Sequence, residues 1–276
     1  MSAVLVEEGP DKGAIWHFGE PVKEQRALEA GTAWADLSHY SVIAVSGEDR
    51  LKWLHDLTTQ FLTDLPVGIW KSAMILDPGY ADTLVTYLSK MKFMLKVDVR
   101  DATSEFAVLR APGATTDIGG PFALVPRNEV AQMAQTFGVV ATQVGTWALD
   151  AERVAAGRPR IGFETDHKSI PNELGVLNGA VHMNKGCYRG QETVAKIYNL
   201  GNPPRRLVML HLDGSDVGFP AKGTAIENDG VVVGFVGTVA RHHELGTIAL
   251  AIVKRNTPTD ATLTVDGIPA SQQVIV

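Results

Sequence analysis

The stretch "NLGNPPRRLVMLHLDG", residues 199–214, divides the chain into two kinds of pattern. On its N-terminal side, helical and extended signals alternate. On its C-terminal side, short apolar runs follow one another with Gly, Pro, Asn and Asp between them, and no helix-length pattern interrupts them. "RLVMLHLDG", "GVVVGFVGTVAR", "GTIALAIV", "ATLTVDG" and "SQQVIV" therefore predict a small antiparallel barrel or sandwich. The two prolines, which cannot continue a helix, put the boundary near Asn202–Arg205. The reading is an α+β domain over residues 1–204 and a β-barrel domain over 205–276.

Upstream, "PVKEQRALEAG" predicts a helix closed by Gly31, and "SVIAVSG" a strand ending at Gly47. In "GEDRLKWLHDLTT", Leu51, Leu54 and Leu57 fall on one helical face. From Tyr80, "YADTLVTYLSKMKFM" places Leu84, Leu88 and Met91 on one face, and "LKVDVRD" alternates as a strand. Strand "FALV", helix "RNEVAQMAQTFG", strand "VVATQV" and helix "TWALDAERVAAG" then continue the alternation. Two α+β units with layered sheets are the economical reading.

The 276 residues carry a net charge of −6, with 45% hydrophobic and 20% charged residues. That is the composition of an ordinary globular protein. The acidic balance argues against a non-specific electrostatic grip on nucleic acid. No run of about 18 apolar residues predicts a membrane span. "MSAVLVEEGPDKG" lacks the basic and apolar regions of a secretion signal, and one cysteine excludes an internal disulfide framework. These points together predict a cytoplasmic protein without a membrane partner.

The single cysteine lies in "NKGCYRGQETVAKI", residues 184–197. A thiol acts as nucleophile or metal ligand in its thiolate form, which nearby cations and helix N-termini favour. Lys185 and Arg189 supply such cations, and "GQETVAKIYN" predicts a helix beginning near Gly190. Gly186 and Gly190 let the backbone bend and a ligand approach. One cysteine cannot hold an iron–sulfur cluster by itself, since a cluster needs about four ligands. Any such cluster would be shared or transient.

The octapeptide "KGCYRGQE", Lys185 to Glu192, resembles the signature of the YgfZ family. These are folate-binding proteins tied to iron–sulfur cluster assembly or repair and to tRNA modification, and they are related to the aminomethyltransferase (T-protein) of glycine cleavage. The resemblance extends over nearly the whole chain. "DLSHYSVIAVSGEDRLKWLHDLTTQFLTDLPVG" is similar to the N-terminal part of both groups, and "ALDAERVAAGRPRIGFETD" to their second folate-domain segment. "PPRRLVMLHLDG" and "VGFVGTVARHHELGTIALAIVKR" are similar to their C-terminal barrel.

The resemblance implies two folate-domain lobes and a barrel around a tetrahydrofolate pocket, with iron–sulfur client proteins as partners. A carboxylate can accept the paired N–H donors of a pterin edge, for which Glu192, Glu164 and Glu173 are candidates, and Gln191 beside them is a further folate-contact candidate. Tyr40 lies where family members put a folate-contacting aromatic, and Trp147 and Tyr188 are further aromatic candidates. Arg153, Arg205 and Arg206 are candidates for the anionic tail. Cys187, flanked by Lys185 and Arg189, would be the reactive centre.

T-proteins and YgfZ-like proteins carry a hairpin after the "LTT" helix, with an acidic residue of the T-protein's aminomethyl chemistry in it. Here "KSAMILDPGYADTLVTYLSK" passes almost directly from strand to helix, through Asp77–Pro78, so Asp77 is not equated with that acid. An accessory folate-binding factor is therefore the leading reading. A tetrahydrofolate-dependent one-carbon transferase is the alternative, and a scaffold with a vestigial pocket is a third. "RHHELG" offers metal-ligand types, but adjacent strand residues face opposite ways, so a polar hairpin turn is the better reading. No dinucleotide fingerprint, phosphate loop or nucleophile elbow is present.

Overall fold

A computed structural model describes residues 2–63, 72–113, 122–213 and 218–276. The tips of two stretches that carry the resemblance, at 64–68 and at Gly214, lie outside the described residues. By contact density the chain divides into two units, residues 1–146 with 184–189, and residues 147–183 with 190–276. No helix among the described residues is long and apolar enough to cross a membrane.

The first unit opens with a two-stranded antiparallel ribbon, β1 (Val4–Leu5) and β2 (Ile15–His17), followed by α1 (Pro21–Glu29). Then come β3 (Ala33–Asp36), β4 (Ser41–Ser46), α2 (Arg50–Leu57), β5 (Ser72–Leu76), α3 (Ala81–Met91) and β6 (Asp98–Asp101). β7 (Phe106–Arg110), β8 (Phe122–Pro126), α4 (Val130–Val140) and β9 (Thr142–Gln143) complete it. These strands form two sheets, β8-β7-β3-β9 and β5-β4-β6.

The second sheet gathers one core from four elements. Ile43 and Val45 of β4 meet Trp53 and Leu54 of α2, Leu88 of α3, and Val97 and Val99 beside β6. Of the expected Leu51–Leu54–Leu57 row, Leu54 is in the core and Leu57 packs against it, and Trp53 joins them there. Trp53 fits there because its Nε1–H donates to the Met91 carbonyl at 3.1 Å, satisfying the indole donor in the core. Gly47 ends β4 at φ +108°, and a Cβ there would lie 2.0 Å from the Lys96 carbonyl oxygen.

The strand expected at "VVATQV" shrinks to Thr142–Gln143. Val139 and Val140 instead prolong α4 through Gly138, because β9 needs only two residues for its parallel pairing with β3.

The second unit contains α5 (Thr146–Ala155), α6 (Leu177–Ala180), α7 (Gln191–Leu200), β10 (Arg205–Leu212), β11 (Ala225–Asn228), β12 (Val231–His242), β13 (Gly246–Lys254), β14 (Leu263–Val265) and β15 (Ile268–Val274). The six strands close into an antiparallel barrel in the order β10-β13-β12-β11-β14-β15, with β15 paired back to β10. The fold class is therefore α+β with a C-terminal barrel.

Both faces of β10 are buried, which is why "RLVMLHL" is a continuous apolar run rather than an alternation. Val208, Leu210 and Leu212 fill the barrel, whereas Leu207 and Met209 pack outward with Ala151 and Val154 of α5. On β13 the small Ala249 and Ala251 point inward, and the larger Ile248, Leu250 and Ile252 point outward. β12 ends at His242, and His243 already lies in the hairpin turn. Their rings consequently approach to 4.7 Å instead of facing opposite ways.

Two buried carboxylates lock this unit. Glu164, 0% exposed, accepts hydrogen bonds from the backbone N–H of Arg160 and of Thr238, both at 2.7 Å, and from Arg153 Nη1 at 3.3 Å. The Thr238 N–H is available because β12 shifts register between Val236 and Val239, freeing it from the ladder. Gly237 sits in that irregularity, where a Cβ would lie 2.4 Å from Glu164 Oε1.

Glu173, 1% exposed at its side chain, accepts from Arg205 Nε at 3.1 Å and Nη2 at 2.8 Å. Arg205 reaches Asp166 as well, Nη1 to Oδ2 at 2.7 Å and Nη2 to Oδ1 at 3.1 Å. The Arg205 hydrogen bond holds the Asp166 carboxyl well below the usual range, aided by the Lys168 N–H and against partial burial. The two acids in turn raise the Arg205 guanidinium above its ordinary value.

Gly237→Ala is expected to destabilise the protein by about 2–3 kcal/mol in urea unfolding, the cost of forcing a methyl group against a buried carboxylate. Arg205→Met strands the Glu173 carboxylate and is expected to cost about 3 kcal/mol at pH 7. Asp166 has a depressed pKa, so its contribution is complete above the unfolded value of about 3.9 and is lost as pH falls below it. The gap between wild type and Arg205→Met should therefore narrow below about pH 4. A gap independent of pH in urea unfolding between pH 2.5 and 7 would refute that coupling.

Candidate functional site

The cysteine loop belongs to the first unit, and its side chains alternate in burial. Lys185 and Tyr188 are buried, whereas Gly186, Cys187 and Arg189 are exposed. Lys185 Nζ donates to the backbone carbonyls of His55 and Thr58, in the last turn and at the C-cap of α2. Those are carbonyls that a helix end leaves without intrahelical partners, and the negative end of the helix dipole favours a cation there. Desolvation pushes the Lys185 ammonium below the ordinary lysine value, with the Asp56 charge pulling the other way.

Tyr188 packs beneath this anchor, its ring centroid 5.6 Å from Lys185 Nζ, and burial raises its phenol. On the other flank, Arg189 Nη1 donates to Tyr87 Oη of α3 at 3.1 Å. Cys187 is thus held outward between a tether to α2 and a tether to α3. Lys185, expected from sequence beside the thiol, has its charge directed into α2 instead.

In the second unit, α7 starts at Gln191 with Gly190 as its cap at φ +86°, where the sequence placed it. Gln191 is half-buried and Glu192 is exposed in the first turn. The remaining folate candidates separate by what already holds them. Glu164 and Glu173 are the buried locks described above. Arg153 donates to Asp150, Glu164, the Thr238 hydroxyl and the Arg158 carbonyl.

Arg206, 4% exposed, donates to the carbonyls of Arg255 and Thr257 and to Gln272 Oε1. Burial, and then the neighbouring Arg255 charge, hold its guanidinium below its ordinary value. The three arginines expected to clamp an anionic tail therefore all have internal partners. Tyr40, of the first unit, is half-buried with its ring edge-on to His39 at 4.9 Å and near Phe122 at 6.4 Å. Trp147, of the second, packs against Phe219 at 6.4 Å and donates Nε1–H to the Arg241 carbonyl at 3.3 Å.

Sequence reasoning missed the α2 C-terminus and Tyr87 as supports of the loop. Lys185 and the His55 carbonyl are 130 positions apart, and Arg189 and Tyr87 are 102 apart, so no local signal joins them.

A family model, the CAF17 C-terminal beta-barrel domain, matches residues 205–274. A chloroplastic protein of Arabidopsis thaliana, provisionally named a transferase, is 25% identical over 81% of this chain. This chain spans 65% of that relative's length. An aminomethyltransferase of Bacillus velezensis is 23% identical over 86% of this chain and 82% of its own. An iron–sulfur cluster assembly factor IBA57 homolog, mitochondrial, of Mycosarcoma maydis is 22% identical over 70% of this chain and 61% of its own. Among solved structures, the glycine cleavage system aminomethyltransferase T of Bartonella henselae superposes with a TM-score of 0.78. It covers 99% of this chain and 92% of its own at 16% identity, a likeness of fold. The barrel match, the octapeptide and these relatives together support a likeness to the YgfZ/CAF17/IBA57-type family related to aminomethyltransferase.

Proposed function

We propose that this protein is a tetrahydrofolate-binding accessory factor in iron–sulfur cluster assembly or repair, with the Cys187 thiol as its working group. The observation that carries the reading is the presentation of Cys187. Its loop is fastened on both sides, by Lys185 to α2 and by Arg189 to Tyr87, and the thiol is left exposed. A fixed, accessible thiolate can bind an iron of a cluster whose other ligands, about three, come from a client protein. Lys185 is a positioning residue in this account. The relative named as an iron–sulfur assembly factor and the family likeness support the cluster assignment. Support for tRNA modification would follow through cluster-dependent client enzymes, in the cytoplasm.

Part of the residue set suits tetrahydrofolate. Glu192 and Gln191, in the first turn of α7, offer a carboxylate and an amide for the pterin edge, and Trp147 of the same unit offers a flat apolar face, while Tyr40 is an aromatic candidate of the first unit by itself. The tail clamp assigned to Arg153 and Arg206 does not suit it, since both guanidinium groups have internal partners. When bound, tetrahydrofolate supplies a nitrogen pair that accepts or carries a one-carbon unit. A one-carbon transferase is the second reading, favoured by the likeness to aminomethyltransferase over most of both chains. Against it, β5 passes through a turn at Asp77–Gly79 into α3 rather than into the expected acid-bearing hairpin.

Titration of tetrahydrofolate into wild type and Cys187→Ala is expected to saturate in both, while Cys187→Ala fails to restore cluster-dependent enzyme activity in cells lacking the protein. No saturation would overturn the folate assignment, and full restoration would overturn the role of the thiol.

Lys185→Met is expected to lower stability by about 2–3 kcal/mol, the loss of charged hydrogen bonds to two carbonyls. Lys185→Arg should recover most of it, and iodoacetamide should alkylate Cys187 at pH 7 at nearly the wild-type rate in folded Lys185→Met. Slower alkylation without a stability loss would assign Lys185 to the thiol directly.

A further inference from the structure

The second unit contains a cavity of about 510 Å³, within the size range of small-molecule sites, roughly 300–1,000 Å³. Leu177 of α6, Ile197 of α7 and Ile275 give it apolar walls, and Asn172, Tyr198 and Arg255 give it polar ones. One of these polar groups, Asn172, lacks the partner its burial calls for, and Arg255 presents an exposed guanidinium at the cavity.

Asn172 is 8% exposed, and its Nδ2 donates to the Val194 carbonyl at a long 3.4 Å. Its Oδ1 is buried with no hydrogen-bond donor among the described residues. Leaving such an acceptor unsatisfied costs about 1–3 kcal/mol. Asn172 lines the cavity and its terminal amide torsion is soft, so a bound donor can supply the partner that Oδ1 lacks.

Arg255 contributes its carbonyl to Arg206, but among the described residues no carboxylate pairs with its guanidinium. Arg206 beside it is bound only by carbonyl and amide oxygens, and each guanidinium repels the other's charge. In a chain of net charge −6, two neighbouring guanidinium groups stand here without a carboxylate side chain paired to them among the described residues.

We propose that this cavity binds a small heteroaromatic anion. A carboxylate or phosphate of the ligand sits on Arg255, for which the guanidinium fork is suited. The ring lies against Ile197 and Ile275 beside Tyr198, and a ring N–H donates to Asn172 Oδ1. The proposal uses none of the residues assigned to tetrahydrofolate above and stands whether or not that assignment does.

Indole-3-acetate carries a flat ring, one ring N–H and a carboxylate, and tryptophol is its uncharged counterpart. Titrated into the full chain and followed by the Asn172 side-chain amide resonance, indole-3-acetate is expected to saturate with a Kd no weaker than about 1 mM. Arg255→Gln should weaken it about tenfold, the loss of one charge-assisted contact. Tryptophol should bind wild type and Arg255→Gln equally and weakly, and tetrahydrofolate binding should be unchanged in Arg255→Gln. Inorganic phosphate competing with indole-3-acetate in wild type would show that phosphate occupies the same anion position as carboxylate. No saturation by indole-3-acetate, or equal affinity for wild type and Arg255→Gln, overturns the proposal.

Discussion

A carboxylate buried without any exposure, Glu164, is the constraint around which the second unit is arranged. An ionised carboxylate away from water is tolerable only where several donors converge on it. Here those donors are two backbone N–H groups and one guanidinium. Meeting that demand determines much else. The irregularity in β12 frees the Thr238 N–H, Gly237 leaves room for the carboxylate, and Arg153 is drawn inward from α5. Arg205 does the same service for Glu173 at the start of β10 and adds Asp166. Conserving a guanidinium for such a lock removes it from ligand binding, so structural and ligand-binding roles compete for the same arginines.

That competition also explains which cations are left for chemistry. Lys185, Arg153, Arg205 and Arg206 all sit in stretches that resemble functional segments, yet each is engaged with carbonyls, carboxylates or amides of its own unit. Arg255, in the turn after β13, ends a stretch that resembles the barrel, yet its exposed guanidinium has no carboxylate partner among the described residues. A charged residue inside a signature is thus not by that fact a ligand contact. Its burial and its partners decide.

The sequence was most legible where local chemistry settles structure. The barrel runs are bounded by Gly, Asp and Asn turns, and α7 starts at the glycine that marked it, Gly190 in the left-handed region. β3 and β7 were not legible, although they form the middle of the β8-β7-β3-β9 sheet. "AWAD" and "FAVLR" are short and end in charges, and what makes them strands is pairing across the chain, Ala35 with Arg110 and Asp36 with Leu109. The same holds for the site. The exposure of Cys187 and the start of the next helix follow from its glycine-rich neighbours, whereas the Arg153–Thr238 contact spans 85 positions and Lys185–His55 spans 130. Periodicity and residue type carry no information at such separations.

The octapeptide itself has a division of labour that its sequence conceals. Lys185 and Tyr188 point inward and hold the loop to its unit, while Gly186, Cys187 and Arg189 point outward. A motif made only of reactive groups would leave the thiol on a wandering loop, and ordering that loop on each encounter would cost entropy, about 1–2 kcal/mol per residue fixed. Under the proposed function, fastening the flanks in advance removes that cost at the moment a client arrives. The inward half of the motif therefore supports the presentation of the thiol as much as the outward half does. In this reading Lys185 serves the cysteine through the geometry it imposes, and its positive charge is matched to the end of α2.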